Sequence, residues 1–166
     1  MQVGMLSPDF YYSSVTAIDL AQLGQAGVRH LLMDLDNTLM PRDRSEIPAE
    51  VRTWIDSLPL HGMDACLVSN NWHAHVQEIA DNIGLPIVAK SLKPFPPAFR
   101  KGLRVVGGTP DTTAVVGDQV FTDILGGNLL GMTTVLVTPQ SASDLPHTLL
   151  LRRAERVVLA GRQPLA

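Results

Sequence analysis

Short apolar runs alternate along the chain with stretches whose apolar residues recur at helical spacing. The runs over residues 30–35, 64–68, 86–89, 113–116 and 133–137 are nearly continuous in aliphatic side chains, the pattern of parallel strands covered on both faces. Between them the spacing predicts helices over 17–25, 48–58, 72–83, 97–106 and 121–130, several of which run into a glycine: Gly27, Gly84, Gly107 and Gly131. Pro48 suits the first turn of its helix, where a missing N–H costs nothing. Strands and helices in strict alternation predict an α/β, three-layer sandwich with a five-stranded, mostly parallel sheet and right-handed crossovers. The tail carries Arg152, Arg153 and Arg156 beside Leu149, Leu150, Leu151, Val157 and Val158, and reads as a last helix. The expected organisation is one domain over 1–166, with segment 1–28 and helix 148–160 packed on it.

Composition narrows this frame. A length of 166 residues, 45% hydrophobic and 17% charged, is that of an ordinary globular chain. A formal net charge of -3 gives no overall field to attract nucleic acid. The single cysteine, Cys66, excludes an internal disulfide and a paired-cysteine metal or redox site, so the default setting is reducing and cytoplasmic. No apolar run is long enough to span a bilayer, which leaves peripheral contact at the inner membrane face as the only membrane role expected.

A parallel sheet places its chemistry just beyond the carboxyl ends of its strands. The residues there are Asp34, Asp36, Asn37 and Thr38, then Ser69, Asn70 and Asn71, then Lys93 and Pro94, then Gly117, Asp118, Thr122 and Asp123. Two carboxylates two positions apart are common on solvated loops. At the end of a buried strand they are poorly placed unless they bind metal or do chemistry.

These residues resemble, in order, all four motifs of the haloacid dehalogenase (HAD) superfamily phosphatases: Asp34-x-Asp36-x-Thr38, Ser69 after a strand, Lys93, and Gly117-Asp118 followed by Asp123. With Leu6-Ser7-Pro8-Asp9-Phe10-Tyr11 and Gly126-Gly127-Asn128 they resemble the YqeG-like group of subfamily IIIA, which is related to mitochondrial phosphatidylglycerophosphate phosphatases. The resemblance implies a Rossmann-like fold and phosphate monoester hydrolysis through an aspartyl-phosphate. It makes Asp34 the nucleophile and Asp36 the general acid, then base. It implies Mg2+ held by Asp34, the Asp36 carbonyl, Asp118 and Asp123. It assigns Ser69, Asn70 and Lys93 to the phosphoryl oxygens, and places Thr38 in the same loop as a phosphate-binding or loop-orienting residue. Lys90 is a rival to Lys93, but only Lys93 is followed by the family's proline.

The intervals after Leu39 and after Asn70 are filled by one helix and one strand each, leaving no room for a large cap domain. An uncapped site suits a lipid head group or closure by a second subunit, and Arg42 and Arg44 are candidates for a second phosphate. The expected substrate is phosphatidylglycerophosphate. A soluble sugar or nucleotide phosphate is the alternative, and a phospho-accepting signalling module is the alternative of another class. Asp36 and the Asp118/Asp123 pair argue against signalling, since they favour hydrolysis of a phosphoenzyme over its storage. His73 and His75, two apart, do not share a helical face, which argues against a zinc site. Phe10, Tyr11 and Tyr12 fit core packing better than lipid contact. Gly126 and Gly127, inside a helix, fit either close packing or a kink.

Overall fold

The computed structural model describes residues 3–166. Its sheet contains β1 (Phe10–Tyr12), β2 (His30–Met33), β3 (Asp64–Val68), β4 (Ile87–Val88), β5 (Thr113–Gly117) and β6 (Thr133–Val137). The order is β1-β6-β5-β2-β3-β4, every pair parallel. Six strands are present where the apolar pattern predicts five. The extra one is the aromatic run at residues 10–12, which pairs with β6 from Phe10–Val135 to Tyr12–Val137. Three residues are too few to show a two-residue period, so only the tertiary pairing marks them as a strand. Tyr12 is buried and donates its hydroxyl to Gln22 Oε1 at 2.6 Å, so the aromatics serve the fold.

Helices α1 (Leu20–Gln25), α2 (Ala49–Ser57), α3 (His75–Ile83), α4 (Pro96–Val106), α5 (Leu125–Leu129) and α6 (Pro146–Val158) complete the layers. Alternate residues of each strand feed two cores. Leu31, Met33, Ala65, Leu67, Ala114 and Val116 pack with α1, α2 and α3; Leu32, Cys66, Val68 and Val115 pack with Phe99 and Leu103 of α4. Period-two side-chain alternation thus covers both faces of the sheet and fixes its register.

Helix α3 begins three residues later than the spacing predicts. Asn71 accepts the His73 N–H on its Oδ1 at 2.9 Å, holding Trp72 and His73 in the preceding loop. A π-helical turn (Val120–Ile124) precedes α5. A Cβ on Gly126 would fall 2.2 Å from the Phe99 ring, and one on Gly127 would fall 2.6 Å from Thr134, so these glycines let α5 approach α4 and the sheet. Close packing therefore explains them.

Helix α6 inverts the usual amphipathic pattern. Its buried residues are Thr148 and Glu155, whereas Leu149, Leu150 and Val157 are exposed. No helix among the described residues is long and apolar enough to cross a membrane. The chain leaves β2 towards β3 and β4, then returns to the other side of β2 as β5. This reversal opens a crevice between the carboxyl ends of β2 and β5.

Candidate active site between two strand ends

The crevice gathers residues from four loops into a cavity of about 370 Å³, lined among others by Asp34, Asp36, Asn70, Asn71 and Lys93. Asp34 follows β2 directly. Lys93 Nζ lies 2.7 Å from Asp34 Oδ1 and 2.7 Å from Asp123 Oδ1, bridging the two carboxylates while almost completely buried. Lys90 does not compete for this place, since its ammonium sits 5.4 Å from the centre of the Trp72 ring. Asp118 follows β5, and the Thr38 hydroxyl stands between it and the first loop, 3.2 Å from Asp118 Oδ1 and 3.4 Å from Asp34 Oδ2. Thr38 is fully buried, so it ties the two loops together from below the cavity.

One carboxylate oxygen each from Asp34, Asp118 and Asp123 lies within 4.8 Å of the others, a spacing and donor chemistry that fit one hard divalent cation. The protonation balance agrees with that fit. Burial, then the negative charge of Asp34, raises the Asp118 carboxyl well above its ordinary range, although Arg152 opposes the shift. Burial also raises Asp123, to about 6, despite the opposing charge of Lys93. Burial would lower the Lys93 ammonium, but the Asp123 and Asp34 carboxylates overcome this and hold it above its usual value. The site therefore carries more negative charge than one lysine compensates.

Asp36 is mostly buried and also lines the cavity, with Oδ2 accepting from Asn71 Nδ2 at 2.9 Å. Burial raises its pKa, the Asp34 charge raises it further, and the Asn71 hydrogen bond opposes both. A carboxyl whose hold on its proton is strengthened by burial, in the same cavity as the nucleophile candidate, suits general acid–base work.

The second loop divides its duties differently from the simplest reading of its residues. Ser69 is fully buried and accepts the Asn71 N–H at 3.1 Å, shaping the turn. The Asn70 side chain is spent on the loop carrying Lys93: Oδ1 accepts from Lys93 N at 2.7 Å and Ser91 Oγ at 2.8 Å, and Nδ2 donates to Lys93 O at 3.2 Å. A phosphate contact from Asn70 would therefore fall to its backbone. Arg42 lines the cavity, whereas Arg44 is exposed and does not, so the structure separates the arginine pair.

Sequence reasoning did not single out Asn71 as the partner of Asp36. It also missed Asp144 and Arg152. Arg152 reaches from α6 to the Asp118 carboxylate and to the Asp118 backbone carbonyl. Its Nε donates to Asp144 Oδ2 at 3.0 Å, and Arg42 Nε lies 3.7 Å from Asp144 Oδ1. Leu145, His147, Thr148 and Leu151 form one wall of the cavity. The one available signal was a polar face at positions 148, 152 and 155 of an otherwise leucine-rich helix.

Comparison with known proteins agrees with this geometry. Residues 90–158 match the HAD-hydrolase-like family. The chain is 33% identical over 154 residues to the probable phosphatase YqeG of Bacillus subtilis (strain 168), covering 93% of this chain and 90% of that one. It is 27% identical over 152 residues to the chloroplastic/mitochondrial phosphatidylglycerophosphate phosphatase 1 of Arabidopsis thaliana, covering 86% of this chain and 43% of that longer one. The cobalt-bound deoxy-D-mannose-octulosonate 8-phosphate phosphatase of Haemophilus influenzae has the same fold, with a TM-score of 0.56 and 13% identity over 81% of this chain and 88% of that one. So does the 3-deoxy-D-manno-octulosonate 8-phosphate phosphatase of Moraxella catarrhalis, solved with magnesium, phosphate and KDO, at a TM-score of 0.53 and 12% identity over 84% and 90%.

Proposed function

Because the chain belongs to the HAD-like hydrolases and is a phosphoric monoester hydrolase, we propose that it works through phosphorylation of Asp34 with Mg2+ as its cation. The observation that carries this reading is the Asp34 carboxylate at a strand end, 2.7 Å from a buried lysine and within reach of two further carboxylates. Asp34 attacks phosphorus in line as the ester P–O bond breaks, and Asp36 delivers its proton to the leaving oxygen. Asp36, now a carboxylate, takes a proton from water as that water attacks phosphorus. Asp34 is released as a carboxylate and inorganic phosphate departs. Lys93 fixes the direction of the nucleophile and offsets charge in both displacements. Asp34, Asp118, Asp123 and the Asp36 carbonyl would hold Mg2+, which when bound neutralises the crowded carboxylates and polarises the phosphoryl oxygens.

For the substrate, a lipid phosphate is the reading best supported. Trp72 and Leu145, on the cavity wall, are 63% and 47% exposed; Leu92 and Phe95, flanking Lys93 in sequence, are 58% and 65% exposed. Large apolar side chains left in water near a phosphate site suit a substrate presented by a bilayer surface. The Arabidopsis relative's name, a phosphatidylglycerophosphate phosphatase, points the same way. The polar cavity residues His73, His147 and Gln119 favour a soluble sugar phosphate as the second reading. Asp34→Asn should abolish Mg2+-dependent turnover of an aryl phosphate while leaving the circular dichroism spectrum intact; equal turnover by the variant would remove Asp34 as nucleophile. Phosphatidylglycerophosphate in mixed micelles, assayed beside soluble sugar phosphates, decides the substrate. Efficient hydrolysis of the sugars alone would overturn the lipid reading.

A further inference from the structure

We propose that Arg152 is a positioning residue: from α6 it fixes the carboxylate of Asp118 for the cation and couples that carboxylate to the seating of the helix that walls the substrate cavity. The inference rests on the reading of Asp118 as a cation ligand and extends it to a helix with no catalytic group of its own.

The two oxygens of Asp118 have separate partners. Oδ1 faces the Thr38 hydroxyl and, through it, Asp34; Oδ2 takes Arg152 Nη2, while Arg152 Nη1 donates to the Asp118 carbonyl. The guanidinium fork thus grips the side chain and the backbone of one residue, which fixes the side-chain torsion as well as neutralising charge. Oδ1 is left free of the arginine.

Arg152 is itself locked. Its Nε donates to Asp144 Oδ2 at 3.0 Å, and its Nη1 also reaches Glu155 Oε2 at 3.1 Å. Glu155 Oε1 in turn accepts the Val120 N–H at 2.7 Å, in the turn that carries Asp123. Asp144 Oδ1 accepts from Asn37 Nδ2 at 3.3 Å, in the loop of the nucleophile. Asn37 also holds the approach to α6, accepting from Ser141 Oγ at 2.6 Å and donating to Ser143 O at 3.2 Å. The stripe Thr148, Arg152, Glu155 is the face α6 turns to the protein, so this helix is seated largely by polar contacts with the two loops that carry the acids. The same seating brings Leu145, His147 and Leu151 to the cavity wall.

Calorimetric titration of the full chain with Mg2+ tests this directly. Partners that orient a ligand are worth roughly 10- to 100-fold in metal affinity, so Arg152→Ala is expected to raise the Mg2+ dissociation constant by that factor. Arg152→Lys, which keeps charge but loses the fork, should recover part of the loss. Hydrogen exchange in residues 146–158 should accelerate in Arg152→Ala, and Mg2+ should slow it more in the wild type than in that variant. Asp144→Asn, which takes the carboxylate from Arg152 Nε and from nearby Arg42 but leaves the fork on Asp118, should weaken Mg2+ binding measurably though less than tenfold; it carries the test if Arg152→Ala does not fold, and unchanged affinity there would overturn the proposal. Unchanged Mg2+ affinity with a lowered melting temperature would reduce Arg152 to a structural residue and overturn the proposal. Tighter Mg2+ binding would make Arg152 a competitor and overturn it too. A wild-type chain that binds no divalent cation would overturn the cation reading of Asp118 itself and the proposal with it.

Discussion

Asp123 is 1% exposed and its carboxyl is raised from 3.8 to about 6, chiefly by burial, with Lys93 opposing. A carboxyl raised in the fold favours its protonated form there. Its contribution to stability is present below about pH 4 and is lost as the pH rises through about 6. At about 1.4 kcal/mol per tenfold change, the gap corresponds to roughly 3 kcal/mol of strain carried by the metal-free protein above neutrality. Asp123→Asn removes that charge and keeps an oxygen for Lys93. It sacrifices the acceptor of the Gln119 N–H, a 3.3 Å hydrogen bond worth about 1 kcal/mol. The net expectation is a gain of about 2 kcal/mol, which for a chain of this size raises the melting temperature by roughly 4–8 °C. Differential scanning calorimetry in EDTA near pH 8 reads the gain, and a second scan near pH 4 should show it gone, the variant there being no more stable than the wild type. Mg2+ should then stabilise the wild type and barely affect the variant, which loses phosphatase activity. A variant less stable than wild type near pH 8 in EDTA, or a gain equal at both pH values, would refute the argument that Asp123 is a buried charge awaiting a cation.

Asp36→Asn should slow aryl phosphate turnover by roughly 100- to 10,000-fold, with phosphoenzyme accumulating on a rapid-quench gel; full activity would leave the reaction without its acid–base group. Arg42→Ala should raise the Michaelis constant for a substrate bearing a second phosphate and spare a small aryl phosphate, whereas Arg44→Ala should change neither, because only Arg42 lines the cavity. Gly126→Ala should destabilise by roughly 1–3 kcal/mol or more in urea titration, since its methyl would meet the fully buried Phe99 ring at 2.2 Å.

The parallel sheet was legible because its strands announce themselves: Leu31, Leu32 and Met33, or Val115 and Val116, are buried on both faces and must be apolar at every position. Three of the four strand-end groups were legible for a related reason, since Asp34, Ser69 and Asp118 are polar residues where an aliphatic run stops, whereas Lys93 lies four residues past its run and was marked only by the proline after it. What each group does was less legible. Asn70 and Asn71 are adjacent and identical in kind, yet one holds the Lys93 backbone and the other the Asp36 carboxylate. That division depends on which way two successive amides turn, and no one-dimensional pattern records it. Strand β1 escaped because three residues at a sheet edge gain their identity from the neighbour they pair with.

Helix α6 misleads hydrophobic patterning for a reason that can be weighed. Burying one leucine contributes about 1.5–3 kcal/mol, so turning Leu149 and Leu150 inward would favour the fold by that order each. Leaving a buried carboxylate such as Asp118 without a cationic partner costs about 3–5 kcal/mol, and Asp144 would lose the same partner. With two acids to satisfy, the arginine wins the inner face and the leucines are left outside. A helix beside a crowded anionic site is thus oriented by charge compensation, and its apolar side is left facing solvent. The inverted face of α6 and the excess negative charge of the crevice are two sides of one electrostatic balance.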